Sequence, residues 1–309
     1  MKRCVYCGGE ARPLWRVPDR MFEIDGDFAI GRCTRCATIL LLDDVADLSR
    51  HYPEGDYYAY EETPTPPRVV SHASLRRRLL PASWPVDEWL ARTGGDGRSV
   101  LDVGCGAGAA LDTYRARGYE TFGVEPDARA AERARERGHR VTTGTVDDFA
   151  FGRDEFSVVR FRHSLEHVAD PAAAARNAVG ALRPGGRLLI EIPNAQGFVA
   201  RVSGPAWWQL DPPRHVALPP RPVLERLMAS LGCPVELRQT YTFGQGIAAS
   251  LIFRAQQTRR GWAGNWRLRS TWRPSGYRAL TIPCYAAAAA LDLIGAGDSL
   301  RLVFRKPAQ

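Results

Sequence analysis

The chain has 309 residues, of which 45% are hydrophobic, and a formal net charge of +8, enough for one large domain plus a small one. The N-terminus "MKRCVYCGG" carries no apolar signal segment, and no apolar run reaches the length of a bilayer span, so the expectation is a cytoplasmic protein without a transmembrane segment. The positive charge is almost all arginine, with lysine only at Lys2 and Lys306, and it is dispersed rather than gathered into a basic tract.

Residues 1–45 read as a zinc-binding module. "CVYC" places Cys4 and Cys7 in one knuckle and "CTRC" places Cys33 and Cys36 in a second. Two such turns put four thiolates around one tetrahedral ion, the arrangement that suits Zn²⁺. Four thiolates leave no open position, so the metal is structural and lets a segment too short for its own core fold. A hairpin or two fills the gap between the knuckles. Cys105, Cys233 and Cys284 are scattered and read as small buried apolar residues. Residues 46–82 form a linker containing "HYPEGDYYAY" and "TPTPP". Tyr57 and Tyr58 there either line an acceptor pocket or pack the module on the main domain.

A helix is expected over 85–93. Strands at 99–103, 120–124, 140–143, 156–161 and 187–192 then alternate with helices at 108–117, 127–137 and 171–182. Such alternation means βαβ units and a parallel sheet, with its active site beyond the carboxyl ends of the strands. Residues 219–231 read as a helix and 235–241 as a strand, closing a core that spans 83–242. Two amphipathic helical stretches fill 243–298, flanked by Arg259, Arg260, Trp262, Trp266, Arg267, Arg269, Trp272 and Arg273. That segment is a lid, a dimer face or a membrane-surface face. Residues 299–309 supply a final strand and a tail.

The strand "LDVGCGAG" ends in Asp102, Gly104, Gly106 and Gly108. The glycines permit a dinucleotide, but Asp102 at the strand end repels a pyrophosphate and welcomes a cation. S-adenosylmethionine carries an ammonium and a sulfonium and no phosphate. Glu125 ends the next strand, where a carboxylate takes both ribose hydroxyls. Asp147 or Asp148, after the third strand, accepts from the adenine amino group beside Phe149, or else caps a helix.

"VLDVGCGAG", "GVEPD", "SLEHVADP" and "LRPGGRLLIEIPN", in this order, resemble the class I S-adenosylmethionine-dependent methyltransferases, in their small-molecule branch. The resemblance implies an α/β fold with a Rossmann-like seven-stranded sheet, mostly parallel, with the last strand antiparallel. It assigns cofactor roles to Asp102, Gly104, Gly106, Glu125 and Asp147 or Asp148, and puts Arg162 and His163 near the transferred methyl. The front end with four cysteines also resembles C-methyltransferases of nucleotide-linked deoxysugars, which have a large further C-terminal domain.

Methyl transfer to a hydroxyl or a carbon acid needs a positioned acceptor and removal of a proton. The candidate bases are His163, Glu166 and His167 in "RHSLEHV" and His215 in "WWQLDPPRHV". Trp207 and Trp208 offer an apolar wall, and Arg214 an anchor for an anionic group. The acceptor is a small metabolite, with an RNA acceptor and a non-catalytic zinc-dependent scaffold as the alternatives.

Overall fold

A computed structural model describes residues 2–53, 86–93, 98–146, 152–257 and 277–308. The centre is a seven-stranded sheet of β4 (Ser99–Val103), β5 (Glu120–Glu125), β6 (Arg140–Thr143), β7 (Phe156–Arg162), β8 (Leu182–Pro193), β10 (Val235–Tyr241) and β11 (Ser299–Arg305), in the order β10-β11-β8-β7-β4-β5-β6. Strands β8, β7, β4, β5 and β6 run parallel, while β11 is antiparallel to both β8 and β10. The expected mostly parallel sheet with an antiparallel last strand is therefore present.

Alternation along each strand sends neighbours to opposite faces. Leu101, Val159, Leu188 and Leu302 pack on one side under α4 (Pro171–Ala181) and α6 (Arg221–Ser230), through Ala175, Ala178, Leu224 and Met228. Val100, Val158, Leu189 and Val303 pack on the other side under α1 (Val86–Thr93) and α2 (Ala109–Arg115), through Leu90, Leu111 and Tyr114. Both faces are covered, which is why these strands are apolar runs rather than alternating ones. On β5, α3 (Ala128–Glu136) starts at Asp127, whose side chain accepts from the Ala130 N–H.

Two elements depart from the sequence reading. β8 begins at Leu182 rather than after "RPGG", because those residues form a bulge between Phe156↔Leu182 and Val158↔Arg187. Glu166 and His167, which in sequence read as the beginning of the helix after the fourth parallel strand, lie instead in a single 3₁₀ turn, Leu165–His167, ahead of α4.

The N-terminal strands β1 (Ala11–Pro18), β2 (Asp27–Cys33) and β3 (Ile39–Leu41) form an antiparallel sheet. A fourth strand, β9 (Ala217–Leu218), joins this sheet from the segment after β8. Val17, Phe28, Ile30 and Leu41 pack there against Val199, Trp207 and Leu210. Short helix α5 (Phe198–Ser203) leads into that segment, and α7 (Gly244–Gln257) and α8 (Tyr277–Leu293) pack on each other beside it. The arginines and tryptophans between α7 and α8 lie outside the described residues. Among the described residues no helix is long and apolar enough to cross a membrane.

Candidate active site

The loop from β4 to α2 turns on three glycines with positive φ, 79° at Gly104, 52° at Gly106 and 80° at Gly108. A Cβ at Gly104 would stand 2.6 Å from the Ser164 Cβ, so glycine is required both for the turn and for its contact with the segment after β7. Glu125 supports this loop: it accepts the Gly106 N–H at 2.7 Å and the Asp127 N–H at 3.0 Å. Burial raises its carboxyl above the usual range against those two bonds. Each of its oxygens keeps a lone pair for a further donor.

Asp102, at the end of β4, is buried. Its Oδ2 accepts from Arg160 Nη1 at 2.8 Å, while Oδ1 has no hydrogen-bond partner among the described residues. Burial pushes the Asp102 carboxyl up to about 7 against the pull of Arg160. Arg160 also faces Asp87 at 3.4 Å. Arg160 is not among the candidates that motifs single out, although a lone arginine inside the buried run "FSVVRF" signals a buried ion pair. The fit to S-adenosylmethionine rests on the orphaned Asp102 Oδ1 and the spare acceptor capacity of Glu125, both suited to a ligand with an ammonium and a ribose. Asp147, Asp148 and Phe149 lie outside the described residues.

At the carboxyl end of β7, three imidazoles surround one carboxylate. Glu166 is 1% exposed. His163 Nδ1 lies 3.4 Å and His215 Nε2 4.0 Å from its Oε1, yet neither Glu166 oxygen accepts a hydrogen bond among the described residues. Burial works against the Glu166 carboxylate, and the imidazoles, His163 foremost, hold it below the usual carboxylate range. His167 and His215 meet edge to face at 4.7 Å. Burial first, then the neighbouring His215 imidazole, pushes His167 down to about 4, so it is neutral at physiological pH. Three groups orient the rings: His163 Nε2 pairs with the Tyr241 hydroxyl at 2.9 Å, His167 Nδ1 with the Tyr52 hydroxyl at 3.1 Å, and His215 Nδ1 with the Gln209 carbonyl at 2.8 Å.

The backbone braces this cluster from the N-terminal sheet. Val216 N–H donates to the Glu166 carbonyl at 2.7 Å, and Leu41 N–H donates to the Val216 carbonyl at 3.0 Å. Arg162, at the end of β7, meets Glu191 Oε2 at 2.8 Å, and Glu191 also pairs with Arg301.

The segment 207–215 corrects one expectation and narrows another. Arg214 cannot anchor a substrate anion, because all five of its N–H donors are used. They reach both oxygens of Asp19, both oxygens of Asp211 and the His51 carbonyl, and the side chain is fully buried. It fastens the N-terminal module to the core instead. Asp19 and His51 gave no local sequence signal, since their partner lies far along the chain. Trp207 is 3% exposed, sits in the apolar cluster joining the two sheets, and donates from Nε1 to Asp298 at 3.3 Å. Its role is packing rather than an open wall. Trp208 is half-buried, packed against the same cluster and against Gly246. Tyr57 and Tyr58 lie outside the described residues.

Cys4, Cys7, Cys33 and Cys36 converge, with ligand atoms all within 4.8 Å of one another. Cys4 Sγ is 3.6 Å from Cys36 Sγ, and Cys7 Sγ is 3.4 Å from Cys33 Sγ. These separations are far beyond a disulfide and close to the roughly 3.8 Å edge of a tetrahedron with metal–sulfur bonds of about 2.3 Å. Burial opposes the Cys33 thiolate, and the backbone N–H groups of Cys36 and Arg35 outweigh it, bringing the thiol to about 7.

A parallel sheet with an antiparallel last strand, a glycine loop after its first strand and an acid ending the next define a class I S-adenosylmethionine-dependent methyltransferase core. The family model described as "Methyltransferase domain" matches residues 74–237, more than half of the chain, and the chain belongs to this family. It is similar to ubiquinone biosynthesis O-methyltransferases from Aromatoleum aromaticum, 32% identical over 115 residues covering 35% of this chain and 49% of that protein, and from Aeromonas salmonicida, 33% identical over 116 residues with coverage of 35% and 49%. The chain spans about half the length of the curated relatives it matches. A solved S-adenosylmethionine-dependent methyltransferase from Mesorhizobium loti overlays with a TM-score of 0.49 at 16% identity, covering 73% of this chain and 98% of that one.

Proposed function

We propose that the protein methylates a hydroxyl oxygen of a small-molecule acceptor, with S-adenosylmethionine as donor and His163 as the general base. The observation that carries this reading is the cluster of three imidazoles around Glu166, packed through Ser164 against the glycine loop. The O-methyltransferase relatives support an oxygen acceptor. S-adenosylmethionine supplies an electrophilic methyl group on a sulfonium. The chain's own residues hold it and prepare the acceptor. Asp102 and Glu125 receive the ammonium and the ribose hydroxyls. His163 is the base because its side chain keeps 23% exposure, whereas those of Glu166 and His215 are at 0% and 8%. Glu166 offsets the charge that His163 gains with the acceptor's proton. The four N-terminal thiolates hold a structural zinc.

The test is release of S-adenosylhomocysteine across a panel of phenolic, catecholic and aliphatic hydroxyl acceptors, with the O-methyl product identified by NMR. His163→Ala is expected to slow turnover by about 10²–10⁴-fold with S-adenosylmethionine affinity unchanged. Wild-type rates for His163→Ala and His163→Gln between about pH 6 and pH 9 would remove the base from this account.

A further inference from the structure

We propose that Glu166, His167 and His215 form a second metal site, separate from the four cysteines, which takes a divalent first-row transition ion and presents its open positions to oxygen donors of the acceptor. Only the acceptor part rests on the methyl-transfer reading; the metal site stands on the side chains themselves.

One ligand atom from each of the three residues lies within 4.8 Å of the others. Donors bound at about 2.1 Å to one ion stand roughly 3.0–3.4 Å apart, so the three close by roughly an ångström on loading. The orphaned atoms are those an ion would take up. Glu166 Oε1 and Oε2 and His167 Nε2 are buried without a hydrogen-bond partner among the described residues. An ordinary polar network would satisfy them, because an unmade buried hydrogen bond is costly. The ring orientations agree. The Gln209 carbonyl only accepts, so His215 Nδ1 carries the hydrogen and the lone pair is left on Nε2, the nitrogen 4.0 Å from Glu166 Oε1. His167 Nδ1 is engaged by the Tyr52 hydroxyl, and with that hydroxyl accepting from Nδ1 the lone pair is left on Nε2 as the ligand. Metal-binding histidines are characteristically fixed through their other nitrogen.

Two imidazoles and a carboxylate make a donor set for zinc or iron(II) rather than calcium or magnesium. Three protein ligands leave positions for exogenous donors. The acceptor best matched is one with two adjacent oxygens, a vicinal diol, a catechol or a hydroxy-carbonyl compound.

The experiment uses the full chain loaded with Co²⁺. A cobalt–thiolate set has an intense near-ultraviolet charge-transfer band that a nitrogen–oxygen set lacks, so the two sites are read separately. Wild type is expected to bind a cobalt ion that adds visible d–d absorption without increasing the thiolate band. His215→Ala and Glu166→Gln are expected to lose that ion and keep the band, and Tyr52→Phe to weaken it by about 10–100-fold. Calorimetric S-adenosylmethionine binding by each variant verifies that the fold is intact. A folded wild type that takes up cobalt only with the thiolate band, or Glu166→Gln and His215→Ala proteins that both retain the second ion, would overturn the site. If the ion binds and catechol leaves its spectrum unchanged, the acceptor part fails. Methylation of a hydroxyl acceptor at full rate by protein lacking this ion refutes the acceptor part of the inference and leaves the proposed activity standing. An ion that binds and responds to catechol in a protein that methylates no hydroxyl acceptor does the reverse.

Discussion

Arg214 shows how far a single side chain's role depends on its partners. Placed on a loop beside two tryptophans, it reads in sequence as a substrate anchor. In the fold it holds Asp19 and Asp211 in a buried ion triad. Removing one partner of a buried pair leaves uncompensated charge, which costs about 3–5 kcal/mol. Arg214→Ala is therefore expected to lower unfolding stability by that amount in urea, with the loss set by Asp19 and Asp211 rather than by any acceptor. Asp298 makes a pH prediction. Burial raises it to about 6 against bonds from Trp207 and Gln209. Its folded value lies above its unfolded one, so the stability it contributes is complete below about pH 4 and is lost as pH rises through about 6. Asp298→Asn should stabilise the protein at pH 8 by about 1–3 kcal/mol relative to wild type, with the difference vanishing near pH 4. Asp292, raised to about 6 by burial, leaves a residual slope in the variant. Thermal melts across that range test it.

Among the elements, the turn from β4 to α2 was the most legible. Glycine alternation after an apolar strand requires positive φ whatever surrounds it, and the three values are positive. What the sequence did not show is that Glu125 supports this turn through the Gly106 N–H. Glu125→Ala should consequently weaken S-adenosylmethionine by about 1–3 kcal/mol, and Glu125→Gln by less, because the amide oxygen still accepts. Titration calorimetry distinguishes the two. Gly104→Ala combines a strained φ with a Cβ 2.6 Å from Ser164, and should cost both stability and cofactor affinity. Unchanged binding by Gly104→Ala would mean that the loop and the segment after β7 separate freely. The 3₁₀ turn with Glu166 and His167 was less legible, because one turn has no periodicity to read, and Pro171 at the start of α4 rather than an apolar pattern sets where the helix begins.

At the scale of the whole molecule, the N-terminal sheet and the core share a strand, an ion triad and an apolar cluster. Cys33→Ser should then do more than release metal. It should lower the thermal midpoint and expose residues 2–53 to protease, and it should also lower turnover, since Leu41 and Val216 carry the brace to Glu166. A Cys33→Ser protein with wild-type melting and protease resistance would show that the cysteines do not hold the module together. The sequence by itself determined the parallel sheet, the glycine turn, the acids at the strand ends and the paired cysteine knuckles. These are set by contacts within a few residues or by one repeated unit, where spacing alone decides geometry. Tertiary structure alone decided which charges meet. Asp102 with Arg160, Asp19 with Arg214, and Glu166 with His215 are 58, 195 and 49 positions apart. Their pairing follows from strand order and from the return of the chain after β8, and burial turns each pairing into a requirement because a lone buried charge is too costly to keep.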